Sequence, residues 1–584
     1  MSSVGIRDSG FGIRDAGDSA ILLELEPVID PAVNARAIVI ATAVRDRRLD
    51  GVRDVIPTYR SVAVHFDPLT CDIDFLRDTM REAAAKARVS ASGVLVEVPV
   101  AYGGVNGPDL DDVAAFARLS AKTVIDRHCG PEYRVFMLGF LPGFAYMGIV
   151  DESIAAPRKA TPRTRIPAGS IGIAGRQTGV YPRSSPGGWQ LIGRTSLQVF
   201  DPSREPASLF QAGDRVKFVP IGNHSPVART HEVRTAAKST SNSASHKGLR
   251  HREGTSGRWL TVIRPGLFTT IQDSGRWGYQ DRGVPVSGPM DRQALRLAHA
   301  VVGNPLDAAA LEVTLLGPEL RFDQPALIAV TGADLEAAVD GKPVALETPH
   351  RVPSGGILRF GARRSGTRAY VALDGGIDVP SVLGSRSTHV ISALGGIEGC
   401  ALRAGDRVPV GTSNHLLREP LRFAPRVTGT STAPQEPGTA HGARLRAMRG
   451  PQDYYFEESA FDWLTRTRFT ISPQSDRMGY RLIAGSERTR PPSAITNPGN
   501  RGSGAMISDA TFTGGIQIPP SGEPILLMVD RQTTGGYPQI GTVITADLGL
   551  AGQLAPGDWI EFAWCTRVEA IAALEEQEEA SGAR

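Results

Sequence analysis

The feature that most constrains the fold is a short phrase that occurs three times. Ala212-Gly213-Asp214-Arg215-Val216-Lys217-Phe218 is matched by Ala404-Gly405-Asp406-Arg407-Val408 and by Pro556-Gly557-Asp558-Trp559-Ile560-Glu561-Phe562. In each, a Gly-Asp turn feeds a short apolar strand, which predicts three related β-units, each closed by such a strand. Gly 65 and Pro 42 in a chain of 584 residues fit turn-rich β domains, and the length calls for three to five of them.

The richest stretch is Pro162–Arg194, where glycines alternate with arginines: Arg163, Arg165, Arg176, Arg183 and Arg194. Glycine lets a ligand approach the main chain, and arginine offers a planar fork of donors to carboxylate or phosphate. Together they predict an anion-holding loop. The run from Arg176 and Gln177 through Tyr181 is echoed by Arg531, Gln532 and Thr533 through Tyr537.

In chain order, Ala20–Leu25 reads as a strand, 32–44 as a helix, 51–57 and 61–66 as a hairpin and 73–85 as a helix. This βαββα order suggests a small ferredoxin-like sandwich. Residues 94–100 form a strand, a helical insert follows, and the Gly/Arg stretch completes the unit. Residues 222–257 are rich in Ser, Thr, Lys and Arg without apolar periodicity, a flexible linker. Beyond it, Ser287 or Gly288 is expected to cap a helix with Met290, Ala294, Leu297 and Val301 on its apolar face. Strands and turns then dominate up to Cys565.

Net charge is +3, too near balance to draw the chain to nucleic acid or membrane. Four scattered cysteines make no disulfide framework or zinc spacing, no apolar run would span a bilayer, and no signal peptide opens the chain. A cytoplasmic protein without a metal site is expected. No GxxxxGK[ST] phosphate loop and no GxSxG elbow is present.

Three further polar clusters complement the Pro162–Arg194 stretch: Gln272-Asp273 with Arg276, Asp476-Arg477, and Gln517 with Asp530-Arg531. In each an Asp lies within three residues of an Arg, either pairing to hold a turn or combining proton transfer with stabilisation of negative charge. Glu312 is an acid inside an apolar strand, so it pairs with an arginine or has a role of its own.

At these residues the sequence resembles a known family. GFLPGFAYMG (139–148), residues 162–195 and AGDRVKF resemble the B subunit of 5-oxoprolinase, also described as KipI or allophanate hydrolase subunit 1. Residues 266–291, 311–322, 375–389, 475–482 and 514–538 resemble its C subunit, the KipA-like, biotin-dependent carboxyltransferase family. The resemblance implies a B–C fusion that is mainly β with α+β parts. Residues 1–10 would be a disordered extension, 11–93 a ferredoxin-like domain, 94–221 a cyclophilin-like β-barrel and 222–257 the linker. Residues 258–424 would be the first β-rich domain of the C-type half, 425–442 a loose connection, 443–566 a second cyclophilin-like domain and 567–584 a polar tail.

It also implies ATP-dependent opening of 5-oxo-L-proline to L-glutamate with the separate 5-oxoprolinase A subunit, the ATP carrying Mg as counter-ion. A homo-oligomer is compatible with the family. The lactam carbonyl is a poor electrophile. Phosphorylating its oxygen makes a leaving group, and the site then needs donors for phosphate and carboxylate plus an acid–base residue. Asp273, Asp476, Asp530 and Glu312 are the candidates for the acid. Arg163, Arg165, Arg176, Gln177, Tyr181, Arg194, Gln272, Arg276, Arg477, Gln517, Arg531, Gln532, Thr533 and Tyr537 are candidates for binding. Two other readings stay open. One is the carboxyltransferase part of a urea carboxylase-like system, for which this chain lacks a Met-Lys-Met biotin attachment site. The other is a regulator of a histidine kinase.

Overall fold

A computed structural model describes residues 10–88, 93–222, 257–413, 441–485 and 506–580. The expected N-terminal extension, most of the linker and of the connection after 413, and the last four residues lie outside the described residues.

The first unit contains β1 (Gly12–Asp15), β2 (Ala20–Glu24), α1 (Pro31–Asp46), β3 (Val52–Pro57), β4 (Ser61–Phe66) and α2 (Ile73–Lys86), with the antiparallel order β1-β2-β4-β3. Asp30 caps α1 by accepting from Ala32 N at 2.7 Å, with Pro31 in the first turn, and Asp72 caps α2 in the same way. One sheet face meets the helices through Ile21, Leu23, Ile40 and Met80. The other packs Ala20, Leu22, Ile56 and Ala63 against Ala510 and Phe512, more than 400 residues further along the chain. The edge strand β1 precedes the expected βαββα unit.

The second unit is a closed barrel. Its wall strands are β5 (Leu95–Tyr102), β6 (Tyr133–Leu138), β7 (Ala145–Gly148), β9 (Ser170–Ala174), β10 (Gln177–Val180), β12 (Gln190–Arg194) and β13 (Arg215–Pro220), while β8 (Arg163–Ile166) and β11 (Ser185–Gly187) pair outside it as a ribbon. Helices α3 (Leu110–Ala117) and α4 (Ala121–Cys129) sit between β5 and β6.

The third unit is built from two open sheets. One orders β20 (Lys342–Pro343), β19 (Ala338–Val339), β22 (Ile357–Arg359), β17 (Glu319–Phe322), β14 (Arg258–Arg264) and β24 (Arg407–Val410). The other orders β15 (Phe268–Gln272), β16 (Ala310–Thr314), β23 (Ser365–Leu373), β18 (Ala326–Asp334) and β21 (His350–Val352). Leu260, Val262, Leu311, Val313 and Val330 fill the space between them, and α5 (Arg292–Val301) covers Ala310, Ala329 and Tyr370 on the far face.

The last unit is a second closed barrel with wall strands β25 (Gly442–Arg449), β26 (Phe469–Ile471), β27 (Gly479–Ala484), β29 (Gly515–Gln517), β30 (Ile525–Leu527), β32 (Gln539–Val543) and β33 (Trp559–Trp564). A ribbon of β28 (Asp509–Ala510) and β31 (Thr534–Gly535) lies outside the wall, α6 (Glu458–Arg466) follows β25, and α7 (Leu548–Gly552) precedes β33. With each barrel's wall strands counted in chain order, both barrels read first-sixth-fourth-fifth-third-second-seventh around the ring, and the seventh runs parallel to the first. The two barrels share one topology, including the outlying ribbon.

That topology corrects the register of the sequence echo. The ribbon strand and sixth wall strand of the two barrels place Arg183–Arg194, not Arg176–Pro182, opposite Arg531–Thr542. The threefold turn is reproduced in detail. Gly213, Gly405 and Gly557 have φ of 98°, 89° and 92°, left-handed values that favour glycine. The following Asp214, Asp406 and Asp558 each accept from the amide three residues back, at 2.8, 2.7 and 2.8 Å.

The polar tail is corrected as well. Residues Arg567–Ala580 form α8, which buries Ala570 and Leu574 against Met448 and Ile544. Arg567 donates to the carbonyls of Gly17 and Asp18 at 2.9 Å. The glutamates after Leu574 mask this four-residue spacing in the sequence.

Candidate functional site

The loop from Gln272 to Asp291 leaves β15 and threads between the third unit and the second barrel. Asp273 anchors its start, accepting from Gly275 N at 3.0 Å, from the Ser385 and Ser387 hydroxyls at 2.6 Å each and from Arg386 N. Arg276, fully buried, donates to the carbonyls of Val382 and Ser387 at 2.8 and 2.9 Å. Burial lowers its pKa to about 10, against the opposing pull of Asp273 and Asp530.

Ser287 and Gly288 both have left-handed φ, 57° and 83°, and turn the chain sharply. The turn aims Gly288 O at Arg477, 2.7 Å, and Met290 N at Glu312, 2.8 Å. These residues therefore do not cap the helix; Asp291 does, accepting from Ala294 N at 3.0 Å.

Glu312, Arg477 and Asp530 form one buried ionic group. Arg477 donates to Glu312 and to Asp530, at 2.9 and 3.2 Å for the latter, and Tyr370 OH donates to Glu312 at 2.7 Å. Such a group costs desolvation, and leaving a member unpaired costs more. Burial works to raise Asp530, but the Arg477 charge, His389 and the Ser287 hydroxyl outweigh it and hold the carboxyl below its usual range. His389 is buried with neither ring nitrogen hydrogen-bonded among the described residues. Burial pushes its pKa down to about 4, leaving a neutral imidazole near Asp530.

Arg531 also joins the junction. It donates to Gln280 Oε1 at 2.8 Å, and Gln280 donates to Asp54 of the first unit at 3.1 Å. Gly278 N also donates to Asp54, at 2.9 Å. The same loops carry buried polar atoms without a hydrogen-bond partner among the described residues, including Gln272 Oε1, Arg276 Nη1 and Thr533 Oγ1. Acceptors, donors and an ionised acid thus converge where three units meet.

Of the residues expected from sequence, Gln272, Asp273, Arg276, Glu312, Arg477, Asp530 and Arg531 come together here. Among the described residues, none of the three arginines donates to the Asp beside it in sequence. The others lie elsewhere. Asp476 is exposed, and its carboxylate accepts from Met478 N. Arg163 pairs with Asp109 at 2.6 Å, Arg165 meets Ser184, Arg176 reaches Val150 O, and Arg194 donates to Ala168 O. Gln177 donates to Tyr59 OH at 2.8 Å, and Tyr181 packs edge-on to Phe144. Gln517 reaches Tyr537 O, Gln532 O accepts from Thr511, and Tyr537 is exposed. The Pro162–Arg194 stretch is therefore not a cluster of convergent arginines.

His389, Ser385, Ser387, Tyr370, Gln280 and Asp54 do not stand out as site residues in the sequence. The alternation of Ser385 and Ser387 on one side of an extended stretch is the available signal for the two serines. His389 reads there as one of several scattered histidines.

Comparison with known proteins agrees with this division. The family described as carboxyltransferase domain, subdomain C and D, matches residues 11–210, and carboxyltransferase domain, subdomain A and B, matches residues 282–564. The chain is 37% identical over 321 residues to the C subunit of 5-oxoprolinase from Escherichia coli strain K12, covering 55% of this chain and 95% of that protein. It is 42% identical over 223 residues to the B subunit of 5-oxoprolinase from Bacillus subtilis, covering 36% of this chain and 93% of that protein. Urea amidolyase of Saccharomyces cerevisiae is 34% identical over 52% of this chain but only 16% of its own length. Among solved structures, TTHA0988 superposes with a TM-score of 0.77 at 32% identity, covering 93% of this chain and 99% of that one. The chain belongs to the families of the B and C subunits of 5-oxoprolinase, carrying both in a single polypeptide.

Proposed function

We propose that this chain is the combined B–C component of an ATP-dependent 5-oxoprolinase, acting with a separate A subunit to open 5-oxo-L-proline to L-glutamate. The observation that carries the reading is the near-complete coverage of two different components of that enzyme, 95% of the C subunit and 93% of the B subunit.

The junction suits such chemistry. ATP is a co-substrate that phosphorylates the lactam oxygen. Water then adds to the ring carbon, the C–N bond breaks as the nitrogen takes a proton, and a second water hydrolyses the resulting acyl phosphate to the carboxylate and free phosphate. Asp530, kept ionised, orients the water, and the neutral His389 imidazole accepts its proton. The Arg276 guanidinium faces the developing negative charge. The carboxyltransferase domain descriptions support a second reading, transfer of a carboxyl group from a biotinylated partner.

Glutamate release from 5-oxo-L-proline and ATP, measured with and without the A subunit, tests the proposal. Release only with both components is expected. Turnover that needs bicarbonate and a biotinylated protein, but no A subunit, would replace it with the carboxyltransferase reading.

A further inference from the structure

A cavity of about 390 Å³ is lined by the Gln272–Asp291 loop, the first unit, the start of α5, the second barrel beside Asp530, and α8. Three arginines line it, but only two are neutralised. Arg53 pairs with Asp67 and lies 4.9 Å over the Trp277 ring, and Arg296 grips both oxygens of Glu578. Arg292 has no acidic partner among the described residues and is exposed in the cleft. The balance of these groups leaves one positive charge over. That suits a monoanion better than a triphosphate.

The remaining walls divide into two kinds. Trp277, Phe512 and Met290 are apolar. His65 Nε2 is a buried polar atom with no hydrogen-bond partner among the described residues, and Ser287, whose hydroxyl also bears on Asp530, lines the cavity with it. The His65 ring is neutral, since burial and the charges of Arg531 and Arg53 push its pKa well down. A neutral imidazole and a hydroxyl can meet an amide's carbonyl or N–H.

We infer that this cavity binds a small organic acid, its carboxylate on Arg292, its apolar body against Trp277 and Phe512, and an amide group toward Ser287 and His65. If the function proposed above holds, the ligand is 5-oxo-L-proline itself.

Calorimetric titration of the full chain with three probes tests this: 5-oxo-L-proline, its carboxylate-free counterpart 2-pyrrolidinone, and cyclopentanecarboxylate, which lacks the amide. The wild type is expected to prefer 5-oxo-L-proline to 2-pyrrolidinone by at least about tenfold, which is about 1.4 kcal/mol. Arg292→Met should abolish that preference without changing affinity for 2-pyrrolidinone, and Arg292→Lys should restore part of it. Equal binding of acid and neutral lactam by the wild type, or an acid affinity that Arg292→Met leaves unchanged, overturns the inference. So does Mg-ATP binding that depends on Arg292 while the acids do not compete with it. Binding of either acid that depends on Arg292, in a protein that releases no glutamate even with the A subunit, keeps the site and rejects the reaction.

Discussion

Replacing Arg477 by methionine separates electrostatics from packing at the three-unit junction. The substitution keeps an apolar chain of similar length and removes donors to Glu312, Asp530 and Gly288 O. Glu312 keeps two donors, Tyr370 OH at 2.7 Å and Met290 N at 2.8 Å. Among the described residues Asp530 keeps only the Ser287 hydroxyl and its nearness to His389, so it is the carboxylate left uncompensated. Removing one partner of a buried pair costs about 3–5 kcal/mol.

The loss should depend on pH. In the wild type, Asp530 is held low, so its pairing stabilises the fold above the unfolded carboxyl pKa and is lost in acid. In the variant the orphaned carboxyl rises, and each pH unit below its new pKa returns about 1.4 kcal/mol. Wild type and variant should therefore differ most near pH 8 and converge toward pH 5. Exchange of the β27 and β30 amides, corrected for intrinsic rate, reports this barrel separately from the other units. Adding Asp530→Asn should recover much of the loss at pH 8. A deficit under about 1 kcal/mol, or one that does not change between pH 5 and 8, would show that Arg477 acts as a spacer.

Three other outcomes are expected. Burial raises the Asp54 pKa to about 6, so its contribution to stability is greatest in acid and falls as pH rises through 6. From pH 7 to 5 that contribution should grow by about 1.3 kcal/mol, and Asp54→Asn should remove this increment from denaturant titrations. A Cβ on Gly139 would collide with Thr534, so Gly139→Val should weaken docking of the first barrel on the second. With the chain divided in the linker, size-exclusion chromatography should show wild-type pieces co-eluting and Gly139→Val pieces separating. His389→Phe should lower glutamate release by at least about tenfold while leaving the melting temperature within a few degrees.

Local chemistry made much of this fold legible. Apolar helix faces and the Gly-Asp turns act within a few residues, and the structure repeats them, whereas the expected cap at Ser287 or Gly288 falls instead on Asp291. The site was only half legible because its pairings span long stretches of chain. Arg477 sits beside Asp476 in sequence, yet it bonds Asp530, 53 residues on, and Glu312, 165 residues back. The density of arginine in Pro162–Arg194 misled for the same reason. Those side chains leave separate strands and turns in different directions, and only a tertiary fold decides which ones meet. The echo at Arg531 pointed to a real duplication, but shared letters placed it on the wrong strand.

The parallel pairing of first and last wall strands has a consequence for synthesis. Strand β13 fills the gap between β5 and β6, with Arg215 beside Leu95 and Val216 beside Tyr133. Until residue 220 has left the ribosome, β5 and β6 each present an unpaired edge, and the second barrel repeats this with β33 between β25 and β26. The nascent chain twice passes through a stage open to wrong pairing, and the Gly-Asp turn sets the angle at which each closing strand enters.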